Sequence, residues 1–285
     1  MAFGADTMRY VITLSTIPSR FSSLGPTLRR LLRQSVKPEK VILYIPYAYR
    51  RFPDWDGVLP DVPEGVEIHR TDEDYGPATK ILPAIKEFRG QDIDILFCDD
   101  DMVYRRTWAA GFLRERRHKP HACLAVCGHD VLGSPWDERV DKSLRRPVRT
   151  WRVTDLENYA RMGVYWVKTR VLKQPTTHIG RRVHIFGGYR DIFEGHAGVM
   201  VRASFFSEDA FEIPDIMWSV DDCWLSGQAM KNGHPVWVVP RQIEPSSFAL
   251  YKTDALHEAV LDGADRDQAD RHTEAYFQET YGLWK

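Results

Sequence analysis

Short apolar runs alternate with helical patterns along the first hundred residues of the chain. β-branched and aromatic residues cluster at 10–14, 40–45 and 93–98, and apolar positions alternate at 66–69, so four strands are predicted. Leucines at helical spacing predict a helix over 24–34. A second helix, opened by Gly76-Pro77, carries its apolar residues through Phe88. This order predicts an α/β fold with a mostly parallel sheet flanked by helices.

The middle of the chain has a different character. Between residues 139 and 190 there are 13 Lys or Arg but only 3 Asp or Glu, with tryptophans and tyrosines interleaved. Secondary-structure signals are weak there, apart from a predicted helix at 155–161 and a predicted strand at 164–168. We interpret this stretch as a basic, aromatic-rich insertion laid on the sheet. A solvated basic face that covers the core is the alternative.

The end of the chain reverses the charge. Residues 254–279 contain 8 acidic and 2 basic residues, and amphipathic patterns predict helices near 254–262 and 266–281. We therefore expect one domain over 1–285. It would comprise a first half at 8–130, a second half at 131–240 and a helical tail at 241–285.

Composition excludes several classes of protein. With 39 Lys plus Arg and 40 Asp plus Glu, the 285-residue chain has a formal charge of −1, so the overall basic field of a nucleic-acid binder is missing. No apolar run is long enough to span a membrane, and the start shows no signal peptide. The four cysteines are Cys98, Cys123, Cys127 and Cys223. Their number and spacing indicate neither a zinc site nor a disulfide framework, which predicts a reduced, cytoplasmic protein.

Three consecutive aspartates follow the apolar strand at 93–98. Ligands of α/β sheets bind at the carboxyl ends of strands. Strand alternation would turn Asp99 and Asp101 one way and Asp100 the other. Carboxylates this close repel each other unless a cation lies between them, and oxygen ligands suit Mg²⁺ or Mn²⁺. The triplet predicts a metal site; a solvated turn, or capping of a helix near 106–118, is the alternative.

A second acidic pair, Asp221-Asp222, precedes a predicted helix that ends at Asn232-Gly233. A carboxylate at a helix N-terminus is stabilised in its ionised form. It can act as a general base if it faces the substrate. Plain N-capping of the helix is the competing interpretation.

Two loops offer contacts for an anion. Ser15, Thr16 and Arg20 follow the first strand and suit a base, ribose or phosphate, although ordinary turn chemistry would explain them as well. Lys80 lies on the first turn after Gly76-Pro77, where backbone N–H groups and one ammonium can hold a phosphate. The glycine and lysine spacing is not that of a P-loop.

Two other features bear on the site. The glycines of the segment 194–202 allow close approach of a ligand, or equally tight packing of the sheet. The ten histidines show no zinc-binding spacing. We nominate His257 as a metal ligand from the acidic tail; His234 and His272 are alternatives, and each is as well explained as a surface or capping residue.

Taken in order, the loop at 15–20, the aspartates at 99–101 and the pair at 221–222 resemble the motifs of nucleotide-sugar glycosyltransferases with the GT-A fold, particularly the family-2-like group. The Asp-x-Asp motif of those enzymes, which binds metal and diphosphate, matches Asp99 and Asp101. Their later Glu-Asp motif, which supplies the catalytic base, matches Asp221 and Asp222, with Asp in place of the commoner Glu at 221. The resemblance spans residues 9–240. It implies that the half at 8–130 binds the nucleotide sugar, that the half at 131–240 binds the acceptor, and that the basic, aromatic-rich insertion lies on the acceptor side of the sheet.

The resemblance implies a metal-dependent enzyme that uses Mn²⁺ or Mg²⁺ and a nucleotide-diphosphate sugar. Asp222 would be the general base of an inverting transfer, with Asp221 beside it in the catalytic pair. Asp99, Asp101 and His257 would hold the metal. The donor would contact Ser15, Thr16, Arg20, Lys80, Asp99 and Asp100. The Gln-x-x-Arg-Trp run of processive synthases is missing, so a glycan or glycolipid-type acceptor that receives one or a few sugars is expected.

Two other functions fit parts of the sequence. Nucleotidyltransferases use related folds and acidic metal sites, but Ser15-Thr16-Ile17-Pro18 stands where their glycine-rich signature would follow the first strand. A non-catalytic module could bind nucleic acid or an acidic glycan through the basic aromatic stretch. The neutral overall charge and the acidic tail disfavour nucleic acid as a partner.

Overall fold

An eight-stranded mixed sheet forms the centre of the computed structural model, which describes residues 8–131, 144–150, 156–173, 183–247 and 266–284. Four of its strands come from the first hundred residues: β1 (Tyr10–Ser15), β2 (Val41–Pro46), β3 (Val66–Thr71) and β4 (Asp94–Phe97). Further along the chain come β5 (Met102–Val103), β6 (Cys123–Ala125), β7 (Gly128–His129), β8 (Val148–Thr150), β9 (Val183–Phe186), β10 (Gly188–Arg190), β11 (Ile192–Phe193), β12 (Val199–Arg202), β13 (Val236–Val238) and β14 (Ser246–Ser247).

Six strands of the central sheet run in one direction. The order is β10-β13-β6-β12-β4-β1-β2-β3, and within the described part of this sheet only β12 and β10 run in the opposite direction. The predicted mostly parallel α/β sheet is therefore confirmed. The pairs β7–β11, β5–β14 and β8–β9 form separate two-stranded ribbons.

Helices cover both faces of the sheet, as the continuous apolar strands require. The described helices are α1 (Gly25–Leu32), α2 (Leu82–Glu87), α3 (Trp108–Arg116), α4 (Leu156–Trp166), α5 (Asp221–Lys231) and α6 (Arg266–Tyr281). Ile95 and Phe97 of β4 join the core cluster under α2, α5 and α6, whereas Leu96 joins the cluster under α1 and α3. Within the described ranges, no helix is both long and apolar enough to cross a bilayer.

Two sequence predictions about secondary structure are wrong. The helix expected from Gly76 through Phe88 is split into a 3-10 turn (Gly76–Lys80) and α2. Pro83 explains the break, because proline lacks the N–H that would continue the ladder and its ring clashes with the preceding turn. The strand expected at 164–168 is helical, since α4 extends to Trp166 and a π-helical turn continues it through Val171.

Other predictions about the elements have clear outcomes. The helix expected at 266–281 is α6, and the helix expected to end before Gly233 is α5, with Gly233 at a φ of 83°. The helix predicted at 254–262 lies outside the described residues. The basic stretch 139–190 is described at 144–150, 156–173 and 183–190, where it contributes β8, α4, β9 and the sheet strand β10; that it is an insertion stays a prediction.

Candidate functional site

The first strand and the aspartate-bearing strand end side by side, because β1 and β4 are parallel neighbours in register Thr13 to Phe97. The hydroxyl of Thr16 donates to Oδ2 of Asp100 over 2.5 Å. The guanidinium of Arg20 lies 2.9 Å from Oδ1 of Asp100 and 3.5 Å from Oδ2 of Asp101. Because β4 ends at Phe97, strand alternation does not govern the aspartates, and Arg20 contacts two successive carboxylates.

Lys80 joins the two acidic motifs. Its ammonium lies 2.8 Å from Oδ1 of Asp99 and 2.9 Å from Oδ2 of Asp221, and its side chain is only 6% exposed. Burial alone would lower the pKa of Lys80, but the carboxylates of Asp221, Asp99 and Asp222 raise it well above its usual value. Lys80 is therefore a buried cation that holds the two acidic segments together.

Asp221 and Asp222 both lie inside the first turn of α5, after Val220 at the N-cap position. Asp221 is buried against Lys80. Oδ1 of Asp222 accepts the backbone N–H of Gly195 over 2.9 Å. Because Val220 holds the N-cap position, the two aspartates do not have the capping role considered for them. Their carboxylates face Lys80 and Gly195 instead.

Gly195 permits this close approach. A Cβ at that position would lie 2.7 Å from Oδ1 of Asp222 and 2.8 Å from Nζ of Lys80. Contacts this short exclude a side chain unless its neighbours move. The glycine in the segment 194–202 therefore serves the packing of the acidic site.

His196, the next residue, adds a second basic group that the sequence did not single out. Its ring nitrogens lie 3.8 Å from Oε2 of Glu194 and 3.6 Å from Oε1 of Glu244. Burial alone would lower the pKa of His196, but the carboxylates of Glu244, Glu194 and Asp99, among others, raise it to about 9. His196 is therefore a cation at neutral pH.

Two further side chains complete this part of the site. The contact between His129 and Glu194, at 3.6 Å, raises the pKa of that histidine. The hydroxyl of Tyr104 accepts the backbone N–H of Asp99 over 3.0 Å and donates to the carbonyl of His196 over 2.8 Å. Tyr104 thereby connects the backbone that carries the aspartates to the backbone that carries His196.

The three aspartates differ in electrostatics. Burial would raise the pKa of Asp99, but Lys80 outweighs it, so this pKa lies below its usual value. Burial raises the pKa of Asp100 against the opposing effect of Arg20. Burial and the carboxylates of Asp99 and Asp100 raise the pKa of Asp101 to about 6. Asp101 is therefore the aspartate of the triplet whose charge is least compensated.

Negative charge exceeds positive charge in the whole cluster. We call the following side chains the carboxylate cluster: Asp99, Asp100, Asp101, Glu194, Asp221, Asp222 and Glu244, with Arg20, Lys80, His129 and His196 as its basic members. With both histidines protonated, seven carboxylates face four cations. An excess of three negative charges at one site favours the binding of a cation.

The carboxylate oxygens of this cluster are the donor atoms that a divalent metal such as Mg²⁺ prefers. Among the described residues, no three or more His, Cys, Asp or Glu side chains are arranged to enclose a metal ion. Mg²⁺ and similar ions commonly take one or two carboxylates and leave their other positions to water and substrate phosphate. Asp99 and Asp101 would supply that number of ligands.

The structure brings together most of the residues nominated from the sequence. Thr16, Arg20, Lys80, both acidic motifs and the end of β1 at Ser15 lie at one edge of the sheet. His257 lies outside the described residues. Cys98 is buried, and burial raises the pKa of its thiol, so Cys98 is a small core residue and not a reactive thiolate. The sequence analysis missed His196, Glu194 and Glu244. The glycines around His196 were a signal for His196 and Glu194, whereas Glu244 had none.

Comparison with known proteins identifies the fold. No protein-family model and no curated protein sequence matches the chain. Among solved structures, GalNAc-T7 with UDP, GalNAc and Mn²⁺ superimposes with a TM-score of 0.50 at 10% identity, covering 98% of this chain and 49% of that one. The chain has a GT-A-type fold. It spans about half the length of that neighbour, so the likeness concerns the architecture of this part alone.

TarS from S. aureus is also similar. Its crystal structure matches with a TM-score of 0.41 at 12% identity, covering 82% of this chain and 36% of TarS. The TarS 1–349 structure in complex with UDP matches with a TM-score of 0.39 at 13% identity, covering 80% and 57%. The chain therefore spans between about a third and three fifths of these TarS structures.

Proposed function

We propose that this chain is a metal-dependent glycosyltransferase of the family-2-like group that moves a sugar from a nucleotide-diphosphate donor to an acceptor hydroxyl. The carboxylate cluster is the observation that carries the proposal. It lies where β1 and β4 end, and ligands of α/β sheets bind at that edge. GalNAc-T7, which has the same fold, was crystallised with UDP and Mn²⁺, a donor-type nucleotide and a divalent cation.

The charge of the site supports the dependence on metal. A diphosphate would be repelled by the excess negative charge of the carboxylate cluster unless a dication lay between them. We propose that Asp99 and Asp101 hold Mn²⁺ or Mg²⁺, with His257 as a third ligand from the tail. The bound ion would neutralise charge on the departing diphosphate.

The donor would lie over the ends of β1 and β4. We propose that Ser15 and Thr16, at the end of β1, contact the nucleoside, and that Arg20 and Lys80, which lie beside the aspartates, face the phosphates. Both cations are already paired with aspartates, so their main effect would be to orient Asp99 and Asp100 and to reduce repulsion of the phosphates.

Asp222 is the residue we propose as general base. Its carboxylate lies beside Lys80 and accepts the Gly195 N–H, which fixes its direction. It would accept the proton of the acceptor hydroxyl as oxygen attacks the anomeric carbon from the face opposite the diphosphate. That geometry inverts the configuration, and the buried Asp221 would hold Asp222 in place through α5.

The basic, aromatic-rich stretch 139–190 supports the proposal for the acceptor. We propose a glycan or glycolipid-type acceptor bound by the 131–240 half of a single domain, after the nucleotide-binding half at 8–130 and before the tail at 241–285. A cytoplasmic location agrees with four cysteines that are all buried and form no disulfide.

One set of measurements tests this function. The full chain is incubated with a panel of nucleotide sugars, with Mn²⁺ or with EDTA, and release of nucleoside diphosphate is followed. We expect slow, metal-dependent hydrolysis of one donor. Asp222→Asn should keep calorimetric nucleotide affinity and lose about 10²–10⁴-fold in turnover. Asp101→Asn should lose the effect of Mn²⁺ on affinity.

The matched control is Asp92→Asn, which removes an aspartate that is 85% exposed and paired with Arg202. It should resemble the wild type. Equal nucleotide affinity with and without metal, together with full activity of Asp222→Asn, would overturn the proposal. Release of pyrophosphate from a nucleoside triphosphate would assign the site to nucleotidyl transfer instead.

A further inference from the structure

The helix α4 and the π-helical turn that follows it form an unusually apolar surface. We call residues 156–173 the exposed helix. Leu156, Val164, Trp166 and Val171 are 80%, 55%, 59% and 59% exposed, and further large apolar side chains of the same segment are also exposed. Among the described elements, α4 packs extensively only against its own continuation, Val167–Val171.

A helix as short as the exposed helix gains little stability from the helix propensity of its own residues. Short helices depend on the burial of an apolar face for most of their stability. Leu156, Val164, Val167 and Val171 recur at helical spacing, so they share one side of the exposed helix. Contiguous exposed apolar surfaces mark sites of interaction. The exposed helix therefore has the form of a docking element.

Its charge indicates the kind of partner. The segment carries four Lys or Arg and one Glu, and it lies in the stretch 139–190, where basic residues outnumber acidic ones by ten. Lys168 and Arg170 lie within the apolar run itself. Basic residues together with tryptophan, tyrosine and aliphatic residues on one helix are typical of helices that lie in the interface of an anionic bilayer.

The dimensions favour a helix that lies along a bilayer. Eleven α-helical residues and five π-helical residues rise about 24 Å at most, whereas the hydrocarbon core is about 30 Å thick. A second copy of this chain is disfavoured as the partner, since two copies of the exposed helix would bring together two surfaces of the same positive charge.

We propose that the exposed helix docks this chain on an anionic lipid surface, with Trp166 and its apolar neighbours in the headgroup region and the lysines and arginines against the lipid phosphates. The inference does not rest on the proposed function, because it concerns a surface of the basic insertion and not the carboxylate cluster.

Flotation of the full chain with lipid vesicles tests the proposal. We expect co-flotation with phosphatidylcholine vesicles that contain phosphatidylserine, weaker binding to phosphatidylcholine alone, and loss of binding at high salt. The double variant Trp166→Ser/Val171→Ser should lower the partition coefficient by more than about tenfold. Lys168→Gln and Arg170→Gln should each lower it about fivefold.

Matched controls and contrary outcomes are available. Tyr47→Ser/Val58→Ser removes apolar side chains that are 60% and 64% exposed elsewhere on the surface, and it should bind vesicles like the wild type. Circular dichroism would verify that each variant is folded. Failure to bind either vesicle, or equal binding by the wild type and Trp166→Ser/Val171→Ser, would overturn the proposal. A concentration-dependent dimer that this variant abolishes, without vesicle binding, would assign the surface to self-association.

Discussion

The ammonium of Lys80 lies 2.9 Å from Oδ2 of Asp221, and both side chains are buried, at 6% and 4% exposure. Lys80 comes from the turn before α2, and Asp221 opens α5. The same ammonium reaches Asp99 after β4. This one cation therefore sets the relative positions of the two acidic motifs that the sequence places about 120 residues apart.

Replacing Lys80 should destabilise the fold strongly. Lys80→Met leaves the carboxylates of Asp99 and Asp221 without their cation, and loss of one partner from a buried ion pair costs about 3–5 kcal/mol. Urea unfolding at neutral pH measures the loss. The double variant Lys80→Met/Asp221→Asn should recover part of it, because it also removes a buried charge.

Lys40 provides the matched control. Its ammonium lies at the same distance, 2.9 Å, from a carboxylate of Glu67, but the two side chains are 42% and 45% exposed. Lys40→Met should cost less than about 1 kcal/mol, as exposed pairs do. An equal loss of unfolding free energy in Lys80→Met and Lys40→Met would contradict the structural role of Lys80.

The carboxylate of Asp101 should lower the unfolding free energy of the metal-free protein at neutral pH. Burial and its neighbours raise its pKa to about 6, so the folded state binds more protons than the unfolded state between about pH 4 and 6. Stability from this group therefore falls as pH rises through that window. Asp101→Asn should raise the unfolding free energy in EDTA by about 1–3 kcal/mol at neutral pH.

The same measurement contains its own check. At a pH below about 3, Asp101 is protonated in both states, so the wild type and Asp101→Asn should unfold at similar urea concentrations. Asp92→Asn, at an exposed aspartate, should leave stability unchanged at either pH. An Asp101→Asn protein that is less stable than the wild type at neutral pH would show that the carboxylate is compensated in the folded state.

Much of the fold was predictable because local and long-range signals agree. The apolar run before Asp99 is buried on both faces, so its composition alone indicates a central strand. The pattern at 266–281 predicts α6 with its observed ends. The strand predicted at 164–168 is wrong because valine and aromatic residues favour strands in general, whereas here they continue a helix. Local composition could not show which neighbours these side chains have.

The site was predictable in part. The carboxyl-edge rule for α/β sheets brings Asp99, Asp100 and Asp101 to a functional edge, and Thr16 and Arg20 follow the adjacent strand. The link between Lys80 and Asp221 was not predictable, because nothing in the sequence shows which carboxylates will surround a buried ammonium. Glu244 gave no signal at all, since it reaches the site only through the tertiary fold.

Gly195 should be required for activity more than for stability. In Gly195→Ala the new Cβ would contact the side-chain ends of Asp222 and Lys80 at 2.7 and 2.8 Å, and these flexible ends can move aside. Displacement of the proposed base by a fraction of an ångström should lower donor turnover by about 10–100-fold. Gly163→Ala, where a Cβ meets open space, should retain turnover. Unchanged turnover in Gly195→Ala would remove the proposed role of this contact.

His196 should stabilise the fold in a way that depends on pH. Its pKa is raised from 6.5 to about 9 because Glu244, Glu194, Asp99 and Asp222 face it, so the protonated ring is favoured in the folded state. That contribution is fully present below about pH 6.5 and is lost as pH rises through about 9.

The variant His196→Gln should therefore differ most from the wild type in urea unfolding at about pH 6, and the difference should shrink towards about pH 10. His118→Gln, at an exposed histidine, is the control and should follow the wild type throughout. If the difference between His196→Gln and the wild type stays constant with pH, the imidazole acts through packing. The charge that we assign to it within the carboxylate cluster would then be wrong, and the excess negative charge available to a bound cation would be larger by one.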